Sequence, residues 1–471
     1  MEQESLKRKN AAPLLQYRRA APAETTAAPH GVTGSRDTGN EKKPACTPIP
    51  KFHIRCVGGG EFIDDPSVMN CPQGHDSLLR AEYSCRRLVL SPYSGIFRYL
   101  CWLPVTQPLV PSGGPVTLGG TALGRELGLA NLSISFSGYF PECGADLTTG
   151  SFKELEALAT LQRLRETGGK IPVVASAGNT GRAFAGIAAR CGMPVVIVVP
   201  ETSRHLLWTT QESRDVYLVA VKGDYSDAIA VATALSSVPG CVPEGGAKNI
   251  ARRDAMGTVM LDATVTAGRM PEYYFQAVGS GTGAIAAWEA SLRLRNDGRY
   301  GDRLPILHLA QNEPFTPMVS AWRDRRRQII PEKDLPDAGR AVSQVMSNVL
   351  TNRNPSYAIR GGLFDALADT DGVMYSVPNA EGYAALRLVR DTEGIDLDPA
   401  AAIAAAALVQ AAERDLIPRT ARILLNLTGG GYERIGEEFP QYLIEPAFTL
   451  SPGEPREALI QDLKEWIVNH G

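Results

Sequence analysis

Residues 171–200 read IPVVASAGNTGRAFAGIAARCGMPVVIVVP. Two runs rich in Val and Ile, IPVVAS (171–176) and PVVIVVP (194–200), flank TGRAFAGIAARCG, whose apolar residues recur at helical spacing. Four more such runs follow the same plan: VYLVAV (216–221), YYFQAVG (273–279), PILHLA (305–310) and RILLNLT (422–428), with helical stretches such as TGAIAAWEASLRLR between them. Continuously apolar strands alternating with helices imply parallel sheets covered on both faces, so the fold class is α/β. In open sheets of this kind, ligands bind where strands end and helices begin.

Three of those junctions carry unusual loops. SAGNTG (176–181) joins the first strand to its helix, GSGTG (279–283) follows YYFQAV, and TGGG (428–431) ends RILLNL. Each offers small residues, hydroxyls and the free N–H groups of a helix start, a setting suited to carboxylate or phosphate. Singly, such loops are often just tight turns. GSGTG is not a Walker loop, because no Gly-Lys-Ser/Thr follows, and SAGNTG lacks the dinucleotide spacing. A fourth feature changes their meaning. In TTGSFKELEALATLQRLR (148–165), Lys153 opens an amphipathic helix. A lysine near a phosphate cradle, a carboxylate loop and a hydroxyl at a strand end is what a pyridoxal phosphate enzyme requires: an amine for a Schiff base and anchors for cofactor and substrate.

Bulk composition narrows the alternatives. The 471 residues are 44% hydrophobic and 21% charged, an ordinary globular balance with room for two domains. A net charge of -3 provides no basic field for nucleic acid. The longest apolar run, PAAAIAAAAL (399–408), is much shorter than the roughly 20 residues of a membrane span. The eight cysteines do not form a disulfide framework in a chain this long, so reduced thiols and a cytoplasmic location are expected. Residues 1–50, rich in Ala, Pro, Thr, Gly and charge, predict a disordered tail; its Glu2, Glu4, Glu24 and Glu41 argue against an acid-poor transit peptide. Residues 51–95 predict a small β module. Cys56, Cys71 and His75 resemble parts of a zinc ribbon, yet Gly59 stands where a C-x-x-C pair would close, so a metal-free module is expected.

SFK at 151–153, SAGNTG, GSGTG and TGGG, in that order and at these intervals, resemble the threonine synthase branch of the fold-type II pyridoxal phosphate enzymes. Within that branch, YSGIFRYLCWLPV, PEGGAKNIARRDAMGTVMLDA, NRNPSYAIRGGLFDAL and EGIDLDPAAAIAAAAL are most similar to the cysteate synthase family, archaeal enzymes that make a sulfonated amino acid for coenzyme M. The resemblance covers residues 52 to about 446.

It implies two open parallel-sheet domains with the cofactor in the cleft between them. The larger takes residues 96–165 and 268–471, and the smaller, mobile substrate domain residues 166–267. Lys153 becomes the Schiff-base lysine, Asn179 the partner of the cofactor's phenolic oxygen, and Gly279, Ser280, Gly281, Thr282 and Gly283 the phosphate loop, with Thr428 facing the pyridine nitrogen. A neutral hydroxyl there, in place of Asp, favours elimination and replacement over transamination. Ser176, Ala177, Gly178 and Thr180 would line the substrate carboxylate site. The implied reaction converts the small anions O-phospho-L-serine and sulfite to L-cysteate and phosphate through an aminoacrylate intermediate, in a homo-oligomer. Anionic reactants call for cations, and Arg182, Lys248, Arg252 and Arg253 are the candidates. Three alternatives stay open: threonine synthase, acting on O-phosphohomoserine, a β-replacing relative that uses another nucleophile, and a non-catalytic scaffold of the same fold.

Overall fold

The computed structural model describes residues 50–176 and 178–470. The predicted disordered tail therefore lies outside the described residues. All six apolar runs read from the sequence are strands, and they divide between two sheets. The larger sheet has six strands in the spatial order Val373–Val377, Ile306–Asn312, Tyr273–Ala277, Arg422–Leu427, Asn131–Phe136, Val116–Gly119. All neighbours are parallel except the edge strand Val116–Gly119, which runs antiparallel to Asn131–Phe136. The smaller sheet is wholly parallel, in the order Cys241–Pro243, Ile171–Ala175, Val195–Pro200, Val216–Val221, Phe448–Leu450.

That last strand departs from the sequence-based division. Residues 448–450 were expected in the larger domain, but Val219, Ala220 and Val221 pair with Phe448, Thr449 and Leu450. The closing helix Glu457–His470 then buries Leu459 and Leu463 against the same core as Val198 and Val219. The reason is an unfilled edge: without Phe448–Leu450, the backbone groups of Val216–Val221 would have no ladder partner on one side.

The alanine-rich run lies within helix Pro399–Glu413, buried along most of its length and packed on the strands of the larger sheet. Small side chains let it approach closely. Asp398 caps it, accepting from Ala400 N at 2.8 Å, and Pro399 occupies the first turn, where no backbone donor is needed. No helix among the described residues is long and apolar enough to cross a membrane. The N-terminal module is a three-stranded antiparallel sheet, with Phe52–Cys56 between Phe62–Ile63 and Leu79–Tyr83. None of the seven described cysteines forms a disulfide.

Candidate active site

The helix Lys153–Glu166 begins where it does because the residues before it are tied to the larger sheet. Phe152 N donates to Thr428 O at 2.9 Å, and Ser151 bridges to Gly429. Lys153 and Thr428 therefore face one cleft. Strand Tyr273–Ala277 delivers Gly279–Gly283 to it, and the 16-residue helix Thr282–Asp297 points its N-terminus the same way. Gly281 has φ +82°, a left-handed conformation that turns the chain into the helix. From the smaller sheet, strand Ile171–Ala175 delivers Ser176, Gly178, Asn179 and Thr180. The Ser176 hydroxyl accepts from Gly181 N at 2.8 Å and Gly178 N at 3.1 Å, fixing that loop.

Burial pushes the Lys153 amine down from its ordinary value, opposed by the Glu156 carboxylate at 3.5 Å. A neutral, nucleophilic amine is thereby favoured. Burial also raises Glu156, against the pull of Arg252, whose Nε lies 3.0 Å away. Arg252 reaches Glu244 as well, at 2.7 Å. Asn179 is held at both ends of its amide: Arg182 donates to its Oδ1 at 2.7 Å, and its Nδ2 donates to Asp398 at 3.1 Å.

Of the site residues expected from sequence, the structure brings together Lys153, Ser176, Gly178, Asn179, Thr180, Gly279, Ser280, Gly281, Thr282, Gly283, Thr428 and Arg252, all of which line the cleft. Ala177 lies outside the described residues. Three predicted substrate cations do not reach the cleft. Arg253 is buried against Glu289 and the carbonyls of Ala247 and Leu79. Arg182 is held between the rings of Trp208 and Tyr432, where it orients Asn179. Lys248 donates outward to Asn70 at 2.6 Å. Arg252 is in place, but two carboxylates already balance its charge. The rest of the cleft is lined by backbone N–H groups, hydroxyls and the segment Asn348–Asn352, of which the sequence reading had quoted only Asn352, within NRNPSYAIRGGLFDAL. Gln276, Tyr225 and Glu156 were also missed. Gln276 had a visible signal, as the one polar residue inside YYFQAVG, and Glu156 lies three residues after Lys153 on the same helix face. In the N-terminal module, Cys56, Cys71 and His75 converge together with Glu61.

Residues 143–429 match the family model described as pyridoxal-phosphate dependent enzyme. The chain is 65% identical over 423 residues to a cysteate synthase of Methanoregula boonei, covering 90% of this chain and 100% of that one. It belongs to the cysteate synthase family. A second member, from Methanoculleus marisnigri, is 51% identical over 89% of this chain and 97% of its own. Among solved structures, an L-serine ammonia-lyase from Rhizomucor miehei matches with TM-score 0.53 at 16% identity, covering 71% of this chain and all of that one. Maize serine racemase matches with TM-score 0.50 at 13% identity, over 76% and 93%. The fold is fold-type II, and the cofactor of the cysteate synthase family is pyridoxal phosphate. The donor set fits that group. A Cβ at Gly283 would come within 2.5 Å of Gln276 Nε2 and 3.0 Å of the Phe152 ring, so the loop has no room for a side chain there and faces the cleft with backbone and the Ser280 and Thr282 hydroxyls.

Proposed function

We propose that the chain replaces the phosphate of O-phospho-L-serine with sulfite, yielding L-cysteate and phosphate. The observation that carries this reading is the 65% identity across the full length of the Methanoregula boonei cysteate synthase. Bound pyridoxal phosphate supplies a carbonyl carbon that bonds amines and a ring that accepts electrons from the substrate's α-carbon. This chain's residues do the rest. The N-terminus of helix Thr282–Asp297, with Ser280 and Thr282, would hold the cofactor phosphate. Asn179, fixed by Arg182 and Asp398, would hold the ring, and Thr428 would offer its nitrogen a neutral hydroxyl. Ser176, Gly178 and Thr180 receive the substrate carboxylate. Lys153, its charged form disfavoured by burial, takes the proton from the α-carbon, the phosphate leaves the β-carbon, sulfite bonds there, and Lys153 returns the proton to the α-carbon. Glu156 and Arg252 hold the amine's surroundings electrically balanced. The product's role in coenzyme M synthesis, a cytoplasmic location and a homo-oligomeric state belong to the same proposal, supported by the resemblance alone.

The test is product analysis on the purified holoenzyme. Phosphoserine and sulfite should give cysteate and phosphate in equal amounts. Threonine and phosphate from O-phosphohomoserine, with phosphoserine inert, would establish the threonine synthase reading instead.

A further inference from the structure

We infer that Cys56, Glu61, Cys71 and His75 form a structural zinc site. One donor atom from each, two thiol sulfurs, a ring nitrogen and a carboxylate oxygen, lies within 4.8 Å of all the others. His75 Nδ1 is 3.6 Å from Cys56 Sγ, 3.4 Å from Cys71 Sγ and 3.0 Å from Glu61 Oε1, and Cys71 Sγ is 3.1 Å from Glu61 Oε1. Bonds of about 2.3 Å to sulfur and 2.0–2.2 Å to nitrogen or oxygen, set tetrahedrally, place neighbouring ligands roughly 3.3–3.8 Å apart. The four donors are already near that spacing, so a metal ion requires only small side-chain shifts.

The backbone around them has the form of two chelating turns. In the first, Gly60 N donates to Cys56 O at 2.8 Å and Cys56 N to Glu61 O at 2.9 Å, while Gly59 N points at Cys56 Sγ at 3.4 Å. In the second, Gly74, with φ +77°, donates to Cys71 O at 2.9 Å and brings His75 back beside Cys71. The spacings are thus C-x4-E and C-x3-H. A Cβ at residue 59 would overlap the Glu61 carboxylate and the His75 ring. The carboxylate therefore fills the space that the second cysteine of a C-x-x-C turn would use. Gly59 marks an exchange of ligand rather than the loss of one.

The module's own core is small. Its core cluster of buried residues holds only Ile54, Cys56, Cys71, Leu79, Ala81 and Ile250, the last borrowed from a helix of the main body. Phe52, Ile63, Val68 and Tyr83 are partly buried around it, and Arg80–Glu289 and Tyr83–Asp254 tie the outer strand to the main body, so the turns carrying Cys56, Glu61, Cys71 and His75 are the part a metal would fasten. His75 and Glu61 keep 44% and 30% of their side chains exposed, which leaves an entry path for the ion. Zinc suits the mixture of thiolate, imidazole and carboxylate, and four protein ligands make the site structural rather than catalytic. Binding displaces both thiol protons to solvent. The clasp bears on the cleft through its neighbours. Asn70 accepts from Lys248, Met69 packs on Gly245, and the segment they brace leads into Arg252.

Metal analysis of the untagged, full-length holoenzyme should find about one zinc per chain that survives gel filtration. X-ray absorption at the zinc edge should show two sulfur and two nitrogen or oxygen ligands. The Cys56→Ser/Cys71→Ser variant should lose at least ten-fold of the bound zinc, and Glu61→Ala should weaken retention under chelator challenge by at least ten-fold. Should a variant fail to fold, the absorption spectrum and the rise in melting temperature with added zinc are read on the unaltered chain. Protein that stays zinc-free after incubation with zinc, or that carries a Cys56–Cys71 disulfide, overturns the assignment.

Discussion

Lys153 has to lose its charge in order to react, and its surroundings oppose each other on that point. Burial lowers it while Glu156 at 3.5 Å raises it. Replacing Glu156 with Gln removes the opposing pull, so the amine should titrate lower still. The cofactor-dependent rate should then hold to lower pH, read from the acid limb of a pH–rate profile. Lys153→Ala should abolish turnover by a factor of about 10³ or more and leave the protein without the visible absorbance of lysine-bound cofactor; a yellow, active variant would remove Lys153 from the mechanism. At this scale the sequence was informative wherever a loop's backbone did the work. SAGNTG, GSGTG and the Thr428 turn announced themselves by glycines and hydroxyls, and Ser176, Gly178, Asn179, Thr180, Gly279, Ser280, Gly281, Thr282, Gly283 and Thr428 line the cleft. The arginines were not legible in the same way. Nothing in GGAKNIARRD says that Glu289, more than thirty residues on, will hold Arg253, or that Glu156 and Glu244 will hold Arg252. A charge is visible in one dimension, but its partner is a property of the fold.

Among the elements, strand Ile306–Asn312 carries a buried ionisable group that the mechanism does not use. His308 lies among Phe275, Tyr273 and Tyr375, its Nδ1 2.6 Å from the Tyr375 hydroxyl, and burial lowers it to about 4. The unfolded chain takes up this proton near pH 6.5 and the native one only near 4, so stability falls as pH drops through that window. The loss should approach roughly 3 kcal/mol at most. His308→Phe should flatten it, as measured by denaturation midpoints between pH 4 and 7. A second element-scale test concerns the phosphate loop. Gly281→Ala forces a side chain into φ +82° within 3.1 Å of Leu363 and should speed loss of cofactor on dialysis several-fold. The strands read from sequence were largely apolar runs, each broken by at most one strongly polar residue such as Gln276, His308 or Asn426. Asn131–Phe136 (NLSISF) and Val373–Val377 (VMYSV) escaped because polar residues interrupt them. Val116–Gly119 and Phe448–Leu450 escaped because short edge strands carry too little pattern.

Over the whole molecule, the two sheets converge on one cleft, and the chain crosses between them more than once. The C-terminal segment is the clearest case. Tyr217 donates to Asp462 at 2.5 Å and packs on Trp466 at 5.4 Å between ring centroids, so the last helix closes the smaller sheet's core. Leu463→Ala, at a fully buried position, should cost roughly 2–5 kcal/mol in a denaturant titration, whereas a detached tail would cost nothing. The larger sheet is stitched over a similar span: Asn131–Phe136 lies beside Arg422–Leu427 in register. On a ribosome, the first of these strands waits for a neighbour that is translated about 290 residues later. At roughly 5–20 residues per second that is a delay of about 15–60 s, during which an apolar strand edge is exposed to every other nascent chain. Neither sheet can be completed until about the last fifty residues of the chain are being made, and the larger, ending at Leu427, closes before the smaller, which awaits Phe448–Leu450. Yield in a heterologous host should therefore depend on translation speed and holdase supply as much as on the stability of the finished enzyme.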